Sequence, residues 1–92
     1  MVDLVQYKVV LSKAAQKDIA KLKAANLEDK ARKLCQILSV NPLQISPPYK
    51  KLLGDLVNKY SRRINLQHRL VYEIDENMQI VKVLRMWSHY EN

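Results

Sequence analysis

The sequence is poor in residues that break or cross-link a chain, with one glycine, three prolines and one cysteine among 92 residues. So few breakers predict that most of the chain is regular secondary structure. The lone Cys35 excludes an internal disulfide and is typical of a reducing compartment. No apolar run approaches the ~20 residues that span a bilayer, and the polar N-terminus does not resemble a secretory signal. We therefore expect a cytoplasmic protein that does not contact a membrane.

Acidic residues are also scarce. The sequence has 9 of them and 16 lysines and arginines, which gives a formal net charge of +7. The excess is concentrated between residues 49 and 69, where Asp55 is the single acid. The cations of this basic stretch are Lys50, Lys51, Lys59, Arg62, Arg63 and Arg69. A solvated basic surface would explain such a charge, but its concentration favours an anion site, most simply for a nucleic-acid backbone.

The length allows one domain, which we expect to cover residues 1–92. A strand is predicted over 6–11, a helix capped by Ser12, and a second helix that begins near Asn26 and stops at Asn41. Cys35 lies on the apolar stripe of the second helix and is interpreted as a small core residue. Strands follow over 51–53, 59–65, 68–75 and 79–87. The fold class is therefore α+β, with two N-terminal helices packed on a small antiparallel sheet in the order β-α-α-β-β-β.

Strand alternation predicts where the arginines of the basic stretch point. Over 68–75, Leu70 and Tyr72 face one way and Arg69 faces the other, so Arg69 points away from the helices. Arg63 shares a face of its strand with Ser61, while Arg62 lies on the opposite face. One arginine of this pair is thus predicted at a site, and the other as a solvated or phosphate-contacting residue.

These residue types are suited to cutting RNA without a metal. The 2′-OH of RNA can attack the adjacent phosphate if a protein accepts its proton, stabilises the phosphorane and protonates the leaving oxygen. Arginine suits the phosphate, while a histidine such as His89 and a tyrosine such as Tyr90 can move protons. Taken alone, both could be ordinary residues of a terminal strand, and His68 is left outside the site as a structural histidine.

Other chemistries find little support in the residues. There is no Asp/Glu cluster for a two-metal nuclease, no Cys/His spacing for zinc and no glycine-rich phosphate loop, so no metal or cofactor is expected. Spacing and charge by themselves indicate a small basic α+β domain that binds RNA.

The second half of the sequence resembles the YoeB/Txe branch of the RelE superfamily, the toxins of bacterial toxin–antitoxin pairs. The motifs that carry this resemblance are LLGDL at 52–56, YSRRI at 60–64, HRLVY at 68–72 and WSHY at 87–90. The resemblance implies a RelE-like microbial RNase fold and a ribosome-dependent endoribonuclease that cuts mRNA in the A site. It also implies inhibition by a YefM-like antitoxin, operator DNA binding only through the antitoxin complex, and a possible homodimer.

Carried across by position, the family's catalytic arginines fall on Arg63 and Arg69, and its histidine and tyrosine on His89 and Tyr90. Lys50 occupies the position of the family's catalytic glutamate, and a protonated lysine does not accept a proton as a carboxylate does. Either Lys50 assists the arginines, or His89 becomes the general base, or the chain is a weakened toxin that still binds ribosome and antitoxin. The expected substrate-binding residues are Lys51, Arg62 and Lys59.

Overall fold

The computed structural model describes residues 6–45, 47–52 and 58–87, which form two helices and five strands. The strands are β1 (Lys8–Leu11), β2 (Tyr49–Lys51), β3 (Lys59–Arg63), β4 (Arg69–Asp75) and β5 (Ile80–Arg85). The helices are α1 (Lys13–Ala24) and α2 (Glu28–Val40), which follow β1. Neither is long and apolar enough to cross a membrane. The short second strand lies two residues earlier than predicted, while Leu53 and Gly54 lie outside the described residues.

The strands form one sheet in the order β1-β5-β4-β3-β2. Neighbouring strands from β2 to β5 are antiparallel, but β1 pairs with β5 in parallel, with Lys8 opposite Ile80. The α+β class is thus confirmed, whereas the expectation of a purely antiparallel sheet is wrong. The element order is β-α-α-β-β-β-β, which has one strand more than the predicted order. The helical pair between β1 and β2 carries the chain across the sheet, which allows the first strand to join the last one in parallel.

Local capping fixes the ends of α1. The Ser12 hydroxyl accepts a hydrogen bond from the Ala15 N–H at 3.0 Å, which confirms Ser12 as the N-cap. Asn26 does not cap α2 as predicted; it has a φ of 58° and its N–H bonds the Lys23 carbonyl. Asparagine tolerates this left-handed conformation, so Asn26 terminates α1 instead. The first residue of α2 is Glu28, and no side chain caps this helix.

The core lies between the helices and the sheet face that carries Leu70 and Tyr72. Its buried members include Ala15 and Leu22 of α1, and further residues come from α2 and β5. Cys35 packs against this cluster, and burial raises the pKa of its thiol. Cys35 is thus partly buried against the core, as its interpretation as a packing residue predicts, and the opposite face of β3 and β4 carries Arg63 and Arg69.

Candidate active site

Arg63 and Arg69 lie directly opposite each other at one end of the β3–β4 ladder. Directly opposed residues of an antiparallel pair have Cβ atoms about 4.5–5.5 Å apart on one face, where like charges repel. Arg63 is exposed and Arg69 is half-buried. Burial and, second, the charge of Arg63 lower the pKa of Arg69. An anion bound between the two guanidinium groups would offset both the burial of the Arg69 charge and its repulsion by Arg63.

Ser61 orients one of these arginines. Its side chain is fully buried, and its hydroxyl accepts a hydrogen bond from Nε of Arg69 at 2.8 Å. Strand alternation places Ser61 on the face of Arg63, two residues away, and Val71 is its partner on β4. The hydroxyl thus fixes the guanidinium of Arg69 beside that of Arg63. Sequence reasoning placed Ser61 on this face but gave it no role.

A cleft of about 540 Å³ opens beside the two arginines. Its described lining contains four cations and no acid: Lys30, Lys50, Arg63 and Arg69. The remaining lining residues are Pro47, Pro48, Tyr49, Ile64, Asn65 and Leu66. We call this the cationic cleft. Concentrated positive charge in a concave site is what a phosphate backbone requires, while the exposed Leu66 offers apolar surface for a base.

Two elements bring lysines to the cationic cleft. Lys50 on β2 is opposite Ser61, so it shares the face of Arg63 and Arg69. Lys30 comes from α2, and sequence reasoning missed it because a lysine on an exposed helix face carries no local signal of a site. Only the packing of α2 beside the loop that precedes β2 brings Lys30 to this surface.

A larger cleft of about 620 Å³ lies at the other end of β4. Glu73, Asp75 and Glu76 contribute to its lining, and Lys82 is the one cation among the lining residues that the structure describes. Such a surface repels phosphate, so its larger size does not make it a candidate phosphate site.

Neither Lys51 nor Lys59 lines the cationic cleft. Lys51 is opposite Tyr60, which puts it on the other face of β2 from Lys50. Lys59 is four residues from Arg63 along β3, about 13 Å in an extended strand. Its ammonium lies 3.6 Å from the Glu73 carboxylate. These two lysines are therefore separated from the paired arginines by the strand geometry.

Arg62 is fully buried, so the expectation that it is a solvated residue open to substrate is wrong. Its side chain is 0% exposed and lies on the helix-facing side of β3. Its guanidinium donates to the carbonyls of Pro42 and Gln44 at 2.9 and 2.6 Å and also to that of Pro47. Nε donates to the Tyr72 hydroxyl at 3.1 Å. Arg62 therefore holds the loop between α2 and β2, which forms one wall of the cationic cleft.

The end of β5 is close to the start of β4. The pairing of Arg85 with Val71 brings the residues after β5 beside the residues before Arg69. There the Trp87 ring stacks on His68, with centroids 3.7 Å apart and ring planes 19° from parallel. His68 is 6% exposed, in agreement with its structural role. His89 and Tyr90 lie outside the described residues.

Comparison with known proteins identifies the family that this chain matches. The family model described as the ParE toxin of the type II toxin–antitoxin system parDE matches residues 9–92. No curated protein sequence matches the chain.

Solved structures are similar over nearly the whole chain. A YoeB/ParE toxin from Agrobacterium tumefaciens is 26% identical, with a TM-score of 0.81 over 90% of this chain and 99% of the other. The YoeB–YefM complex from Staphylococcus aureus contains a chain 31% identical, with a TM-score of 0.73 over 92% and 99%. A YoeB dimer from Staphylococcus aureus gives 28% identity and a TM-score of 0.78 over 92% and 99%. The chain belongs to the ParE toxin family of type II toxin–antitoxin systems, within the RelE superfamily.

Proposed function

We propose that this toxin is a ribosome-dependent endoribonuclease that cuts mRNA in the A site by metal-independent attack of the 2′-OH. The observation that carries the proposal is the cationic cleft, in which Arg63 and Arg69 are held side by side with no acid among the described lining residues. Such a site binds a phosphodiester and offers it donors from two guanidinium groups.

The arginines stabilise the charge that develops on the phosphate. Guanidinium groups stay protonated at neutral pH, and their forked donors match two phosphate oxygens. The phosphorane carries more charge on its oxygens than the diester, so preorganised cations bind it more strongly than they bind the substrate. Because Ser61 holds Nε of Arg69 at 2.8 Å, little reorganisation is needed as the charge develops.

The proton transfers are assigned to His89 and Tyr90, with Lys50 in the cleft. His89 is two positions after Trp87 in the sequence, and an extended chain spans about 7 Å over two residues. Trp87 is fixed on His68, the residue before Arg69, so this reach is compatible with a site at the arginines. His89 acts as the general base, since Lys50 cannot accept a proton while it is charged. Lys50 adds to the phosphate site.

The proposed partners follow from charge and from the relatives. The net charge of +7 attracts an acidic antitoxin segment, and the relative from Staphylococcus aureus is bound to YefM. We propose a YefM-like antitoxin that covers the cationic cleft, with operator DNA bound only through that complex. A homodimer is proposed from the YoeB dimer of the same organism.

Inducible expression with mapping of new mRNA 5′ ends tests this function. The native chain is expected to produce discrete cuts within translated codons, and Arg69→Ala is expected to abolish them. Lys51→Ala is the matched control, because it removes one positive charge from the same basic stretch on the opposite face of β2. Growth arrest without new 5′ ends would refute cleavage. It would favour the second candidate, a ribosome-binding module in which Lys50 marks lost catalysis.

The effect of Lys50→Glu separates the possible roles of this lysine. If Lys50 assists the arginines, the carboxylate lowers cleavage; if the lysine is a handicap, the carboxylate supplies a base and raises it. A rise of more than tenfold would contradict the assignment of His89 as the base.

A further inference from the structure

Asp18 is a carboxylate in a position where the helix pattern calls for an apolar residue. It lies on the buried stripe of α1 between Ala15 and Leu22, and it is 1% exposed. Burying a carboxylate is costly unless hydrogen bonds and an opposite charge compensate it. Burial alone would raise the pKa of Asp18, but hydrogen bonds from Arg85, Met86 and Trp87 hold it below its usual value. Asp18 is therefore a charged acceptor committed to particular donors.

The donors to Asp18 all belong to three consecutive residues at the end of β5. Arg85 donates from Nε at 3.0 Å and from Nη2 at 3.3 Å. The backbone N–H groups of Met86 and Trp87 donate to Oδ2 at 2.9 and 3.2 Å. Because β5 ends at Arg85, these last two amides lie beyond the strand itself. The Asp18 carboxylate thus accepts hydrogen bonds from the backbone amides that follow the last residue of β5.

The start of α1 holds the preceding residue as well. The Ser12 hydroxyl donates to the Leu84 carbonyl at 2.7 Å while it caps the helix. Residues 84–87 are therefore held at their first residue by Ser12, which precedes α1, and at their last residue by Asp18 of α1. On the other side, the Trp87 ring stacks on His68, whose neighbour in the chain is Arg69. The point where the chain leaves β5 is fixed both to the helix and to the residue that precedes Arg69.

We propose that Asp18 is a positioning residue for the proton-transfer residues His89 and Tyr90, because it fixes Arg85, Met86 and Trp87, from which the chain continues to them. This role rests on the proposed nuclease function. A 1 Å misplacement of a catalytic group can cost about 100-fold in rate. Asp18 touches no substrate, so its loss alters the rate of the chemical step and leaves RNA binding by the cationic cleft in place.

The test compares Asp18→Ala with Asp29→Ala on ribosomes programmed with mRNA. Asp29 is the matched control because it is an exposed acid on α2 with the same charge. Two activities are measured: the single-turnover cleavage rate, and the affinity for ribosomes that carry mRNA with a 2′-deoxy nucleotide at the cut position. Asp18→Ala is expected to slow cleavage more than tenfold with an affinity within twofold of the native value. Asp29→Ala is expected to change neither.

Trp87 supplies a readout that does not depend on activity, because it is the only tryptophan in the chain. Quenching by acrylamide is expected to increase in Asp18→Ala and to stay unchanged in Asp29→Ala. Asp18→Asn keeps one oxygen for the amides of Met86 and Trp87, so it is expected to recover part of the rate and of the protection. If Asp18→Ala fails to fold, Asp18→Asn replaces it in both measurements.

Unchanged quenching in both Asp18 variants would show that Asp18 does not hold Trp87 in place. Increased quenching with a native cleavage rate, or with rate and affinity reduced equally, would overturn the positioning role. If the native chain does not cut mRNA while Asp18→Ala still exposes Trp87, the proposed function fails. The positioning role falls with it, although the contact stands.

Discussion

The substitution Arg62→Met isolates the contribution of a buried guanidinium to the stability of the fold. Methionine has a similar length and an apolar side chain, so it fills much of the same space without donating hydrogen bonds. The carbonyl of Pro42 keeps the Tyr72 hydroxyl as a donor at 3.0 Å, but those of Gln44 and Pro47 lose the guanidinium. The loop between α2 and β2 therefore loses its attachment to β3.

The expected cost follows from these two carbonyls. A buried group left without its partner costs about 1–3 kcal/mol, which gives roughly 2–6 kcal/mol for the pair. Both hydrogen bonds are only partly buried, so water can replace the guanidinium at some of this cost. Removing a charge from the core also offsets part of it. We expect a loss of about 3 kcal/mol in the free energy of unfolding, which lowers Tm by roughly 12–24 °C for a domain of this size.

The assay is urea and thermal unfolding followed by circular dichroism. Arg63→Met is the matched control, since it makes the same chemical change at the adjacent, exposed residue. Its effect is expected to lie within about 0.5 kcal/mol, because surface changes are small and the repulsion between Arg63 and Arg69 disappears. If Arg62→Met lowers the free energy of unfolding by less than about 0.5 kcal/mol, or if both variants lower it equally, the hydrogen bonds of Arg62 do not stabilise the fold as argued.

Two further predictions concern buried hydroxyl groups. Burial raises the pKa of Tyr72 to about 12, despite the opposing effect of Arg62. The unfolded chain ionises near pH 10 while the folded chain stays neutral, so folding stability falls as pH rises from 10 to 12, by about 2 kcal/mol. Tyr72→Phe should flatten this decline in urea unfolding series; an equally steep decline would contradict the assignment. Ser61→Ala removes the acceptor of Arg69 Nε and should slow mRNA cleavage about tenfold, or about 1.4 kcal/mol, with a smaller loss of Tm than in Arg62→Met because only one hydrogen bond is lost. A native rate would show that the hydroxyl does not orient Arg69.

The sequence alone predicted the elements that depend on neighbouring residues. Ser12 caps α1 because a hydroxyl at that position reaches the N–H three residues on. The alternation along β4 separated Arg69 from Leu70 and Tyr72, since successive side chains in a strand point to opposite faces. The same rule put Arg63 with Ser61 and placed Arg62 on the other face. Most of the element order, and the facing of Arg62, Arg63 and Arg69 relative to their neighbours in the chain, follow from these short-range rules.

What the sequence could not supply are contacts between residues far apart in the chain. Arg62 faces the helices as alternation requires, but only folding brings carbonyls 15 to 20 residues away around its guanidinium. Asp18 is buried because its donors, 67 to 69 residues later, converge at the end of β5. Lys30 reaches the cationic cleft, and β1 joins β5 in parallel, for the same reason. Local sterics and side-chain period determined the elements, whereas packing decided which charges are buried and which face the cleft.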